Sequence, residues 1–273
     1  MTTTEPHARF ADLVAAEWIK LWSLRSTAGS LLIAALAVLG LNVGTAYDQN
    51  HYWAERTLAD QAEFIREGLS LMTAFTSNGA MVLMLALGAF GAMAVTGEYG
   101  TGLIRATFAA VPARSSVLAA KVVVVGLVST VFGAVLAAAS FVLTQAVFAE
   151  HGAGVSFDRP GALRLVAASA LLAPLSALTG MAVGALVRHG AGAVVGSTVL
   201  LLLVPIFLST DRYWTAVAAH AMPYRAWTRL VDVVGTPAPS PYPGTVGGAW
   251  TVYPIWVLLA AGVTVAAVRR RDQ

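Results

Sequence analysis

VLAAKVVVVGLVSTVFGAVLAAASFVLTQAVF, residues 117–148, carries one charged side chain, Lys121, close to its start. Nothing in it alternates with period two. It is far longer than a buried helix of a soluble domain requires, and about 20 apolar residues already cross the hydrocarbon core of a bilayer. Five further apolar runs flank it: Thr27–Ala46, Ala74–Thr96, Ala162–Val187, Ala191–Ser209 and Ala249–Val268. These five have near-minimal length for crossing. The run Val117–Phe148 is long enough to tilt or to extend beyond the bilayer. The predicted fold is therefore all-α and integral to a membrane, with six spans in one transmembrane domain covering residues 1–273.

Composition agrees. Hydrophobic residues make up 58% of the chain and charged residues 11%, with a mean hydropathy of +0.73. Ordinary soluble domains carry about 25% charged residues. So little charge cannot cover a globule with polar surface. Cysteine is absent, which excludes disulfides, thiolate metal sites and cysteine nucleophiles. The polar stretch before the first run is too long for the n-region of a signal peptide. Arginine far outnumbers lysine, and alanine, valine and glycine abound, a bias that suggests a bacterial source. A net charge of +3, split between two faces, does not suggest nucleic-acid binding.

Lysine and arginine beside the spans set orientation. With the N-terminus inside, ten lie on the cytoplasmic side and seven outside, and Arg269–Arg271 directly follows the last run. An even number of spans then places both termini in the cytoplasm. Pro174 and Pro205 lie within runs, where a bundle can satisfy the carbonyls they free.

Between the runs, residues 8–26 read as an interfacial helix. Phe10, Leu13, Val14, Trp18, Leu21 and Leu24 share one side, Arg9, Asp12, Lys20 and Ser23 the other, and Glu17 interrupts the apolar arc. The helix is either an anchor or a mechanical element. Gly97–Gly102 reads as a turn-rich exit from the second run, with Thr101 as an N-cap. A short helix over 102–111 follows, with Leu103, Ile104, Thr107, Phe108 and Val111 on one arc and Arg105 opposite. Pro112 ends it, and Ser115 or Ser116 caps the next helix. Asp48–Thr73 is an acidic loop, helical in places. Residues 210–248 are aromatic-rich and then proline-rich, and the prolines of 237–243 exclude a helix there.

Catalytic and metal-binding signatures are missing. Neither Lys20 nor Lys121 follows a glycine, so no phosphate-binding loop exists. No His-Glu-x-x-His or Gly-x-Ser-x-Gly motif occurs, and the five histidines are scattered. The chain is not expected to be an enzyme or to hold a cofactor or metal. The span interiors carry neutral polar groups (Ser129, Thr130, Ser140, Ser169, Ser176, Thr179, Ser197, Thr198) and no Asp, Glu, Lys or Arg away from their ends. Ion-coupled transporters place an ionisable group at depth, so the energy for any transport should come from elsewhere. The hydroxyls serve helix–helix or back-bonding. Gly40/Gly44, Gly180/Gly184 and Gly192/Gly196 allow close helix packing.

The stretch TGEYGTGLIRAT (96–107), with PARSS (112–116), Ala120-Lys121, EWIKL (17–21) and AVRRRD (267–272), resembles the type-2 ABC exporter permeases. The resemblance implies a six-span subunit that pairs with a second copy or a related permease. It also implies two copies of a separate ATP-binding subunit, expected from another gene. The 102–111 helix is then a coupling helix seated in that ATPase. Glu98 and Arg105 would be the polar contacts of the joint, Leu103, Ile104 and Phe108 its docking face, and Pro112 its stop. Arg114 and Lys121 would frame the return, and Tyr99, Gly100 and Thr101 belong to the same turn. Glu98 is alternatively a turn partner for local backbone donors. Residues 210–248 would dip into the outer leaflet as a re-entrant gate. Localisation would be the bacterial plasma membrane, in contact with lipid, and the cargo a lipid-like drug, an antimicrobial peptide or a lipid. A secondary transporter of different fold and a non-transporting membrane scaffold are the competing readings.

Overall fold

Pro174 has no N–H to offer the carbonyl of Ala170, four residues earlier, and its ring pushes that carbonyl outward. In the computed structural model the freed oxygen is received by a glycine of a neighbouring helix. A Cβ on Gly133 would lie 2.2 Å from Ala170 O. The structure describes residues 9–103, 107, 109, 113–233 and 241–269, with side chains through residue 267. Among these residues there are helices and turns and no strand.

Helix α1 spans Phe10–Ser23, and the extended Leu24 separates it from α2, Arg25–His51. A 3-10 turn and α3 (Leu58–Glu67) follow, then a single turn at Ser70–Thr73. The longer helices are α4 (Ser77–Thr101), α5 (Arg114–Ala149), α6 (Ala162–Val187) and α7 (Gly190–Phe207). Two short helices, α8 (Tyr213–His220) and α9 (Pro223–Val231), precede α10 (Val246–Arg269). Six helices are long and apolar enough to cross a membrane: α2, α4, α5, α6, α7 and α10.

Helix α6 coincides with its expected run, Ala162–Val187, whereas α2 and α4 outrun theirs. The first continues through Tyr47 and Asp48 to His51, and the second through Gly97–Thr101. Counting apolar residues finds the hydrocarbon crossing, while the helix itself goes on through polar turns beyond it. Thr101 is therefore not an N-cap. It is the last residue of α4, its hydroxyl donates to Gly97 O at 3.0 Å, and Gly102 (φ +72°) ends the helix in the left-handed region. Neither Ser115 nor Ser116 caps α5, which starts at Arg114 after Ala113. Residues 8–26 are not one helix, because Leu24 breaks it. Of the predicted 102–111 helix, Leu103, Thr107 and Ala109 are helical; Ile104, Arg105, Ala106, Phe108, Ala110, Val111 and Pro112 lie outside the described residues, as does 234–240 of the proline-rich segment.

Helix α6 is the hub. It packs chiefly against α4 and α5, with α10 and α9 on its other sides. Glycine sets the α4–α6 distance: a Cβ on Gly91 would lie 1.7 Å from Ala177 O, and one on Gly180 would lie 1.9 Å from Gly88 O. Backbones this close maximise dispersion contact where lipid removes the hydrophobic drive between helices. Gly184 joins the same seam. Gly40 and Gly44 do not: they are exposed, and a Cβ on either would meet nothing within 4 Å. In α7, Pro205 follows a π-helical stretch at Val199–Leu203. The widened turn relieves the clash a proline causes in a regular helix.

Several buried polar groups are paired across helices. Asn42 Oδ1 accepts from Thr76 N (3.0 Å) and Thr76 Oγ1 (2.7 Å), and its Nδ2 donates to Ser140 Oγ (2.9 Å). Ser140 Oγ in turn donates to Ala74 O. Gln145 donates to Ser70 O and accepts from Val155 N, both at 3.0 Å. Trp227 of α9 is buried against Phe75 and donates to Ser169 Oγ at 3.1 Å. The other hydroxyls expected at depth mostly bond back to their own helix: Ser129, Thr130, Ser176, Thr179, Ser197 and Thr198 all do.

Candidate functional site

Glu17 interrupts an apolar arc in the sequence, and the structure puts it at the centre of the buried face of α1. Leu13 and Val14 pack on Val117 and Ala120 of α5. One turn further along, Glu17 faces Lys121 of the same helix. Of the predicted apolar arc, Leu13, Val14 and Leu21 pack inward around Glu17, whereas Phe10, Trp18 and Leu24 are exposed.

Four charges meet there. Glu17 Oε1 accepts from Lys20 Nζ at 2.7 Å, and its Oε2 accepts from Lys121 Nζ. Lys121 also donates to Glu98 Oε1 at 2.9 Å, and Lys20 lies 3.6 Å from the same oxygen. The side chains of Glu17, Lys121 and Glu98 retain only 3%, 7% and 12% of their exposure, and Lys20 retains 29%. Two carboxylates and two ammonium groups alternate, so the cluster is neutral and each buried charge has an opposite neighbour. Such a set holds only while complete, because removing one member strands another in a poor solvent for ions. Burial lowers the affinity of Lys20 for its proton, but the hydrogen bond to Glu17 and the charge of Glu98 outweigh it. Its pKa stands above the ordinary lysine value.

The cluster joins α1, the last turns of α4 and the first turns of α5. Lys20 extends it into the loop between them, donating to Thr107 Oγ1 at 3.3 Å. Thr107 Oγ1 in turn donates to Leu103 O. A displacement of that loop therefore reaches two spans and the N-terminal helix through short polar contacts.

A second contact lies on the neighbouring face. Arg188, the C-cap of α6, is the one non-glycine with positive φ among the described residues, at φ 58° and ψ 16°. Its guanidinium sits 5.1 Å from the ring centroid of Tyr99 and donates to Ala267 O at 3.4 Å. One side chain thus touches the ends of α4 and α10 from the end of α6.

Of the residues singled out by sequence, Glu98 and Lys121 meet in the cluster. Tyr99 lies under Arg188. Gly100 is exposed with open space around it, and Leu103 is 44% exposed. Arg114 opens α5. Ile104, Arg105, Phe108 and Pro112 lie outside the described residues. Sequence reasoning did not assign Glu17, Lys20, Thr107 or Arg188 to the site. Glu17 had a signal, a carboxylate on an apolar arc. Lys20 and Thr107 had only the resemblance of EWIKL (17–21) and TGEYGTGLIRAT (96–107), and Arg188 had none, since its partners Tyr99 and Ala267 come from distant parts of the chain. Beside the cluster lies a cavity of about 650 Å³ between α1, α4 and α5. Among the described residues no group of His, Cys, Asp or Glu could hold a metal ion.

No family model matches the chain, and no curated protein matches it.

Proposed function

We propose that this chain is the membrane-spanning permease subunit of an ATP-driven ABC exporter, working as a dimer and driven by a separate ATP-binding subunit. The observation that carries the reading is the buried Glu17–Lys121–Glu98–Lys20 cluster at the root of the loop between α4 and α5. That loop carries the resemblance to a coupling helix. A docked ATPase would push on 102–111, and the cluster would pass the movement to α1, α4 and α5 as one body. The membrane-depth polar groups among the described residues support the same reading. Asn42, Gln145 and the hydroxyls are neutral and hydrogen-bonded within the protein, which leaves them unsuited to ion coupling.

In this reading the N- and C-termini face the cytoplasm of a bacterial cell, ATP is bound by the partner, and α8–α9 line the outer end of the path. The cargo is apolar or amphiphilic.

The test is co-purification followed by reconstitution. The full chain, isolated gently from its host, should bring a P-loop subunit with it. In the reconstituted complex, Glu98→Ala or Arg105→Glu should abolish transport-linked stimulation of ATP hydrolysis while the permease stays in the membrane. Unchanged stimulation would remove both residues from the mechanism. Transport by the lone chain that survives ATP depletion and collapses with the proton gradient would replace the proposal with a secondary transporter.

A further inference from the structure

A second cavity, of about 470 Å³, lies at the far end of α4 from the charge cluster. Its size falls within the ~300–1,000 Å³ typical of ligand sites. Gln49 near the end of α2, Arg56, Phe64 of α3 and Ser77 at the start of α4 line it, with Leu69 and Met72 between them. Among the described residues, Arg56 is the one charged side chain in that lining.

Arg56 is held but its hydrogen bonds are not used. Its guanidinium carbon lies 4.5 Å from the ring centroid of Phe64 and 5.4 Å from that of Trp53. Such contacts fix the cation by its charge and leave the N–H groups to find acceptors. Among the described residues no carboxylate or other acceptor takes them. Two more donors line the same space. Gln49 Oε1 accepts from Thr73 Oγ1 at 3.2 Å, so its amide nitrogen remains to donate. Ser77 is exposed, and its hydroxyl has no partner among the described residues. The surrounding segment is acidic, but its acids stand elsewhere. Asp60 accepts from Thr57, Glu67 pairs with Arg66, and Glu150 accepts from Asn50. Asp48, Glu55 and Glu63 are exposed, where water and salt screen them, and none of the six acids lines the cavity.

The free polar groups here are therefore one cation and donors from three separate segments. That set suits an oxyanion with several oxygens, and a guanidinium already anchored loses little freedom in gripping it. We infer that this cavity binds a phosphate group, with Arg56, Gln49 and Ser77 donating to its oxygens and the apolar part of the ligand against Leu69 and Met72. The phosphate belongs either to a lipid headgroup or to a soluble phosphate. The inference does not rest on the exporter reading and stands whether or not an ATPase binds the chain.

The chain lacks cysteine, so Met72→Cys places a single thiol in the lining without removing a donor. The full chain, stripped of lipid in detergent, is treated with N-ethylmaleimide in the presence of phosphatidylglycerol, of dioleoylglycerol (which has no phosphate) or of inorganic phosphate. Slowing by phosphatidylglycerol but not by the other two identifies a lipid headgroup. Slowing by inorganic phosphate identifies a soluble phosphate. Either result supports the site, whereas equal rates in all arms, or equal slowing by dioleoylglycerol and phosphatidylglycerol, would overturn it. The probe that protects should then bind Arg56→Gln about tenfold more weakly or worse, measured by native mass spectrometry. Arg56→Gln also gives up the ring contacts, so Ser77→Asp is the second variant. Aspartate suits the first turn of a helix and leaves Trp53 and Phe64 untouched, but it adds a carboxylate to the cavity and should weaken binding at least as much. Equal binding by wild type and Ser77→Asp would overturn the site.

Discussion

Lys121 lies two turns into α5, a helix long and apolar enough to cross a membrane, and two carboxylates reach it. Lys121→Met leaves Glu17 and Glu98 buried with only Lys20 between them. The expected loss is about 3–5 kcal/mol, the range for breaking a buried pair from one side. Glu17→Leu combined with Lys121→Met should cost less than the sum of the single changes, since the double variant removes both ends of one pair. Thermal or denaturant unfolding in detergent, arranged as a double-mutant cycle, checks this; strict additivity would mean that the two groups do not interact. Lys20 adds a pH dependence whose sign follows from its raised pKa. A folded pKa above the unfolded one stabilises the folded state below the unfolded value, near 10.5. That contribution disappears as pH rises through the folded value. The attachment of α1 should therefore be unchanged from neutral pH to about 10 and loosen in stronger alkali. Fluorescence of Trp18 and Trp22 follows this directly, and Lys20→Met should abolish the alkaline change.

At the scale of elements, the α4–α6 seam is set by what its residues lack. Gly180→Ala would put a methyl group 1.9 Å from Gly88 O, and only movement of a whole helix can relieve that contact. The expected cost is about 1–3 kcal/mol or more, as for other overpacked interiors. Gly40→Ala is the matched control. Its methyl meets nothing within 4 Å, so stability should hold or rise slightly as helix propensity improves. Unfolding midpoints of the two variants in one detergent decide the matter, and equal midpoints would show that α4 and α6 have slack. The two glycine pairs look alike in sequence. Spacing shows that a face is small, whereas only the neighbour's position shows whether a backbone lies against it.

For the whole molecule, six crossings would return the chain to the side on which it began. Reporters fused in turn to the two ends should both be active in the cytoplasm, as the excess of lysine and arginine on that side predicts. A silent reporter at the C-terminal end alone would require an odd number of crossings. A silent pair would invert the orientation. The spans were legible because lipid imposes one demand on every exposed residue, and about 20 apolar residues in a row record it. The site was legible only in part. Glu98 and Lys121 drew attention through a resemblance, and Glu17 through its misfit on an apolar arc. Lys20 read as an ordinary solvated charge, and Arg188 as one of a basic set beside the spans.

The sequence by itself determined that this protein is helical and long enough in apolar stretches to cross a membrane six times. Those properties are local, since each run meets its own stretch of lipid and each proline or glycine acts on its own turn. The tertiary structure alone decided which polar groups are companions. Glu17 and Lys121 are separated by 104 positions in sequence, and Asn42 reaches Ser140 across 98. No periodicity encodes such meetings. They follow from how tightly glycine lets α4 and α6 close, and from where the packed bundle leaves space for α1 to lie.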